Sequence, residues 1–241
     1  MDTQKPLTIE NRWDVLYRDY PEVYQEFGRF PYKPTLLSKL NRWFRLKEKH
    51  ILDVGSGTGL STFELANKAY RVNGLEPESA MLDIAIQSAH AMGIENVNFV
   101  CGRAEDIPLQ GGSVDMVTAI TLASLYSDEN IRAFAIQADR VVRKGGLVIL
   151  VDIAPGWYGG NLAPIILGKK TRVLPEEDLR DTILSAAGYE HRDFYNLQDY
   201  GTIDHILETY GFIFGIKAIE YIQSSHITVI KWKWRVHYKK I

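Results

Sequence analysis

The sequence predicts an α/β protein built on a doubly wound, seven-stranded sheet that is parallel except for an antiparallel final strand. Helices precede the first strand, and a helical insert precedes the last. Three observations carry this expectation. Ile51–Val54 is a short apolar run that ends in Gly55, Gly57 and Gly59, and a helical pattern follows at once. A strand covered by helices on both faces needs such a run. Short apolar runs then alternate with helical patterns through residues 71–153, as the β–α units of a parallel sheet do. Near the end of the chain Trp232, Trp234, Val236 and Tyr238 alternate strictly with Lys231, Lys233, Arg235 and His237. That period of two marks an antiparallel strand with one apolar and one solvated face.

Composition bounds the answer further. A chain of 241 residues suits one α/β domain with additions, and 1–241 is read as one domain. Within it, 1–46 are a helical cover, 47–153 a cofactor-binding core, and 154–241 a substrate-side half with its insert at 202–225. With 46% hydrophobic and 24% charged residues the chain is of ordinary globular type. A net charge of −2 argues against a broad nucleic-acid surface. Cys101 is the one cysteine, which excludes an intrachain disulfide and a cysteine-rich zinc site. No paired histidine or carboxylate spacing suggests another metal. The N-terminus lacks a signal-peptide pattern, and no apolar run is long enough to span a membrane. A cytoplasmic location is the expectation.

In chain order, Trp13, Tyr17, Tyr20, Tyr24 and Phe27 fall at helical spacings around Pro21, which predicts two short helices. Leu36, Leu37, Leu40, Trp43 and Phe44 give one face of a helix over 34–46. After the first strand, the glycines allow a sharp turn and let a ligand approach bare backbone. The helix over 60–69 aims its free N–H groups at whatever occupies that turn. Arg71–Glu76 is the second strand, 79–92 a helix and Val97–Cys101 the third strand. Glu76, at a strand's carboxyl end, can accept hydrogen bonds from both hydroxyls of a ribose, or can cap the helix that follows. Val114–Ile120 is the fourth strand, with Asp115 structural, and 128–142 is a helix. Leu147–Ile153 is the fifth, and Asp152 near its end is a substrate contact, a general base or a loop acceptor. Residues 155–174 are a long connection in which Trp157 and Tyr158 are candidate pocket residues. A helix at 175–187 with an acidic first turn and a sixth strand at 189–197 follow. The insert is punctuated by Gly211 and Gly215, and Ile227–Tyr238 closes the sheet.

The spacing of the glycines narrows the ligand. A dinucleotide fingerprint would place its third glycine at position 60, which is Leu60. No Lys-Ser or Lys-Thr follows, as a phosphate-binding P-loop would require. The chain reads G-x-G-x-G, with Asp53 two residues ahead of Gly55. Here the sequence resembles the class I S-adenosylmethionine-dependent methyltransferases, with a type 11, small-molecule character, whose first motif is similar to LDVGSGTG at 52–59. The segment Gly102–Leu109 is similar to the family's G-D-A-E-x-L-P-F, with Arg103 in place of the usual acidic or amide residue. The run from Arg143 to Leu150 resembles the opening of its fifth strand.

The resemblance implies a Rossmann-like sheet and S-adenosylmethionine as cofactor. It implies cofactor contacts at Asp53, Gly55, Ser56, Gly57, Thr58, Gly59, Glu76, Pro77, Met81, Arg103, Ala104, Glu105 and Ile120. Tyr17 and Arg29 are candidates for the methionine carboxylate or the substrate. Residues 119–124 read AITLAS where base- and amide-methylating classes of the family carry N-P-P-Y, which argues against those substrates. The reading is transfer to a small, partly apolar molecule by in-line displacement, with His205, Asp152 or His191 as base where one is needed. A packed or solvated His205 is the alternative for that residue. A nicotinamide-dependent oxidoreductase and a non-catalytic S-adenosylmethionine-binding module are the rival functions.

Overall fold

The computed structural model describes residues 5–31, 36–122, 127–168 and 178–241, without the side chains of 29–31. They form two compact units. The first comprises Met1–Thr35, Ala154–Val173 and Tyr195–Lys233; the second comprises Leu36–Ile153, Leu174–Phe194 and Trp234–Ile241.

The sheet consists of β1 (His50–Val54), β2 (Arg71–Glu76), β3 (Val97–Cys101), β4 (Val114–Ile120), β5 (Val142–Ile153), β6 (Glu190–Asp199) and β7 (Val229–Lys240). Their order is β3-β2-β1-β4-β5-β7-β6. From β3 across to β5 the pairings are parallel, and β7 runs antiparallel to β5 from Leu147↔Lys240 to Ile153↔Trp234. The strand order reverses between β1 and β4, where open α/β sheets bind ligands at their carboxyl edge. Both carboxyl ends meet there, with Val54 paired to Ala119. Leu52, Val54, Val117, Ala119, Val148 and Leu150 form the buried centre of one core cluster. Two-sided burial is why these strands carry continuous apolar runs.

The helices are α1 (Trp13–Asp19), α2 (Pro21–Pro31), α3 (Leu37–Phe44), α4 (Leu60–Ala66), α5 (Ser79–Met92) and α6 (Asp128–Val141), then α7 (Ala163–Ile166), α8 (Leu179–Ala186), α9 (Ile203–Ile206), α10 (Phe212–Phe214) and α11 (Ile216–Ser225). Pro21 opens α2, where its missing N–H costs nothing, and so divides the aromatic segment as predicted. Asp115 accepts the His50 N–H at 2.7 Å and pairs with Arg143, which ties β1, β4 and β5 at their starts. Among the described residues no helix is long and apolar enough to cross a membrane.

Three expectations are corrected. β5 begins at Val142, not Leu147, because Val142 is already extended and pairs with Val114. The insert breaks at Gly215, whose φ of 99° only glycine adopts readily, as expected, but not at Gly211, where a π-helical turn over Leu207–Gly211 runs on into α10. The largest correction concerns β7. Trp232, Trp234 and Val236 are buried as expected, but His237 is also only 3% exposed. Arg235 pairs with Asp181 of α8 and, at 2.8 Å, with Asp193 of β6. His237 Nε2 lies 2.7 Å from Asp181 Oδ1. That part of the basic face is a buried ion cluster rather than a solvated surface. Burial would raise the Asp181 carboxyl, but the His237 hydrogen bond and the charges of His237 and Arg235 outweigh it and hold the group below its ordinary range.

Candidate functional site

The glycine turn between β1 and α4 is built from backbone upward. Gly55, Gly57 and Gly59 all have positive φ (75°, 54° and 92°), which is why glycine recurs at alternate positions. The N–H groups of Gly55 and Ser56 both donate to the Leu75 carbonyl, at 2.8 and 3.0 Å, so the turn is clamped to the end of β2. Gly74 makes that clamp possible. A Cβ there would stand 2.7 Å from the Phe99 ring and 2.9 Å from Ser56 Cβ. The signal for Gly74 in the sequence is a glycine inside a strand, which marks close backbone approach.

Glu76 ends β2 inside this turn and is 9% exposed. Its Oε2 accepts the Gly57 N–H at 2.9 Å, and its Oε1 accepts the Glu78 N–H at 3.2 Å. Burial pushes its carboxyl up, and the two N–H donors pull part of the way back. Asp53 is buried beneath the turn. Oδ2 accepts from Ser61 Oγ at 2.7 Å and Thr62 Oγ1 at 2.8 Å, and Oδ1 from Thr118 Oγ1 at 2.9 Å. Its carboxyl is also raised by burial, against the three hydroxyls. Asp53 thus joins β1, α4 and β4, and its oxygens face the protein's own hydroxyls.

The other residues expected at this edge differ in burial. Ser56 and Thr58 are buried in the turn, Pro77 is exposed and Met81 half-buried at the start of α5. In the loop after β3, Ala104 is buried and Arg103 is exposed, 3.5 Å from Glu105 Oε2. Glu105 Oε1 and Ser56 Oγ are buried without a hydrogen-bond partner among the described residues. Ile120 is buried at the end of β4, and Thr121 after it has φ +53°. A positive φ on a β-branched residue is an outlier that no sequence pattern announces.

Other candidates are engaged elsewhere. Asp152 pairs with Arg180 of α8 through Oδ2 and accepts the Ile153 N–H at 2.7 Å through Oδ1. In the first unit, His205 Nδ1 donates to the Tyr200 carbonyl at 2.8 Å, and Nε2 is 3.4 Å from Glu26 Oε1. Tyr17 packs edge-on against Tyr24 with centroids 4.8 Å apart. Arg29 lies on α2, and its side chain is outside the described residues. His191 has its ring 5.8 Å from that of His237, and burial followed by the Arg235 charge lowers its proton affinity. Tyr158 packs on Trp13 and Phe214, and Trp157 on Tyr195, in the first unit. Among the described residues no group of His, Cys, Asp and Glu is arranged to hold a metal.

Residues 51–146 match the family described as a methyltransferase domain. The uncharacterized methyltransferase YcgJ of Bacillus subtilis is 30% identical over 105 residues, 44% of this chain and 41% of that protein. The ubiquinone/menaquinone biosynthesis C-methyltransferase UbiE of Pseudoalteromonas translucida is 25% identical, with 63% of this chain and 70% of that protein aligned. The chain thus spans less than half the length of YcgJ in sequence. The crystal structure of YcgJ superposes with a TM-score of 0.56 at 20% identity, covering 85% of this chain and 98% of that one. An S-adenosylmethionine-dependent methyltransferase of Aquifex aeolicus gives 0.55 at 17% identity, with 92% and 98% covered. The structural likeness establishes the fold well beyond the stretch where sequence similarity is recognisable.

Proposed function

We propose that this protein transfers the methyl group of S-adenosylmethionine to a small, partly apolar acceptor by in-line displacement. The observation that supports it most is the state of Glu76. Each of its oxygens accepts one backbone N–H, which leaves lone pairs for the two hydroxyls of a ribose. Two further features suit the same nucleoside. Among the described residues a Cβ on Gly57 would meet nothing within 4 Å, so the backbone is open to a ligand there. Ser56 Oγ and Glu105 Oε1 are polar atoms able to pair with a ligand's donors and acceptors. Glu105 supplies the acceptor for adenine's amino group that Arg103, a donor only, lacks. Pro77, Met81 and Ala104 border the base, Gly55, Thr58 and Gly59 shape the turn, and Ile120 marks the strand end nearest the transferred group.

When bound, S-adenosylmethionine supplies a methyl group on a positively charged sulfur. The work left to the chain is to hold an acceptor in line with that bond and to exclude water. Asp152 and His205 already have partners at both polar atoms, so alignment, rather than either group as a base, is the main contribution we assign. UbiE is named for C-methylation in ubiquinone and menaquinone biosynthesis, which fits an acceptor with apolar surface. The single cysteine, exposed Cys101, suits a reducing, cytoplasmic setting.

Calorimetric titration with S-adenosylmethionine and S-adenosylhomocysteine tests this reading. Wild type should bind both, and Glu76→Ala should bind at least about 100-fold more weakly, from two lost charge-assisted bonds of about 1.5 kcal/mol each. Gly57→Val should also fail, because a β-branched residue resists φ 54°. Folded wild type that binds neither compound but binds NADH would replace this reading with the oxidoreductase one.

A further inference from the structure

The carboxyl end of β4 holds a device that the motif does not include. Thr121, directly after Ile120, has φ +53°. In a β-branched residue this conformation crowds Cβ against the backbone and persists only where surrounding contacts impose it. Two such contacts are present among the described residues. The Thr121 N–H donates to the Val151 carbonyl at 2.8 Å, continuing the β4–β5 ladder, and Thr121 Oγ1 donates to the Ile120 carbonyl at 2.8 Å. The consequence lies one residue on. Leu122 brings its Cδ1 so near Gly55 that a Cβ there would collide with it, and its Cγ lies 3.4 Å from that Cβ position. Two left-handed residues therefore cooperate: Thr121 delivers the leucine, and Gly55 at φ +75° leaves it room.

We propose that Thr121 and Leu122 are positioning residues for the methyl-donor site, wedging the glycine turn against β2 so that Glu76 is held ready. The route is short. Leu122 bears on Gly55; Gly55 and Ser56 hang from the Leu75 carbonyl; Gly57, next along, donates to Glu76 Oε2 at 2.9 Å. The turn is thus fixed from two sides, by hydrogen bonds to β2 and by packing from β4. Loss of the wedge lets Gly55–Gly57 move, and the Gly57–Glu76 bond is the first to suffer. This explains why a strained threonine stands at the switch point: an unstrained φ would carry Leu122 away from Gly55. The assignment of a ligand rests on the methyl-donor reading above; the mechanical part does not.

The test uses the full chain with Leu122→Ala, the volume-conserving Leu122→Met and Thr121→Val, which keeps the branch but loses the hydroxyl bond. Binding of S-adenosylhomocysteine is measured by calorimetry, and exchange of the Gly55, Ser56 and Gly57 amides by NMR in the ligand-free protein. Leu122→Ala should weaken binding about tenfold or more and speed exchange at these amides about tenfold, with distant β5 amides unaffected. Leu122→Met should recover most of both effects, and Thr121→Val should shift both in the direction of Leu122→Ala. Equal affinity and equal exchange in wild type and Leu122→Ala would overturn the proposal while leaving the methyl-donor reading intact. Failure of wild type to bind the ligand would remove that reading, and the exchange rates would then decide the wedge alone. If Leu122→Ala does not fold, the same two readouts on Leu122→Met and Thr121→Val decide it.

Discussion

Asp53→Ala probes how the cofactor cradle is held together. The wild-type carboxylate accepts from Ser61, Thr62 and Thr118, and all three hydroxyl-bearing residues are buried. Removal of the carboxylate leaves three buried hydroxyls without their acceptor. At the low end for an unsatisfied buried group, about 1 kcal/mol each, the loss is about 3 kcal/mol. Relief of the carboxylate's own desolvation cost subtracts from this, and the vacated volume adds to it. With a urea dependence of about 3 kcal/mol per molar, the unfolding midpoint should fall by about 1 M, followed by far-ultraviolet circular dichroism. Asp53→Asn keeps the volume and one acceptor oxygen, so its loss should be smaller, about 1–2 kcal/mol. pH separates the two causes. The Asp53 pKa is raised in the folded state, so its contribution is fully present below the unfolded carboxylate value and is lost as pH rises through the folded value. The advantage of wild type over Asp53→Asn should therefore be greatest in acid and narrow toward neutrality. An Asp53→Ala midpoint within about 0.2 M of wild type would refute the view that Asp53 is the pillar under the turn.

Two more predictions come from the same unit. Gly74→Ala should cost about 1–3 kcal/mol by overpacking against Phe99 and Ser56, lowering the calorimetric melting temperature by roughly 3–10 °C. An unchanged melting temperature would show that the turn can withdraw freely from β2. Asp181→Asn should destabilise by about 3 kcal/mol, because Arg235 and His237 lose their shared carboxylate in a buried cluster. The Asp181 pKa is lowered, so its contribution is present above the unfolded carboxylate value and is lost as pH falls through the folded one. The gap between wild type and Asp181→Asn, measured by urea unfolding, should be full at neutral pH and close in strong acid; a gap that widens in acid would contradict this.

What could be read in the sequence was whatever neighbours along the chain decide. The glycine turn, Glu76 at a strand end and Pro21 between two helices are local events, with apolar runs or forced φ angles as their signals. The alternation of β7 likewise reported one buried face correctly. It could not report that α8 and β6 bring Asp181 and Asp193 against the other face, because a cation that pairs and one that is solvated look identical in sequence. Asp152 and His205 were illegible in the same sense. Their partners, Arg180 and Glu26, come from distant segments, and only packing reveals them.

Asp53 and Thr121 carry the lesson one step further. Asp53 stands two residues ahead of the first glycine and reads as a ligand contact, yet its oxygens are met by hydroxyls of α4 and β4. Thr121 carries no signal at all, since threonine is an ordinary strand residue and its left-handed φ is imposed by Val151 and by the position Leu122 must reach. One supports the turn from beneath and the other delivers a wedge onto its first glycine. A bare-backbone cradle has no side chains of its own with which to hold shape, so the residues that fix it must come from adjacent elements. This is why a glycine motif is easy to find while the residues that hold it in place are scattered.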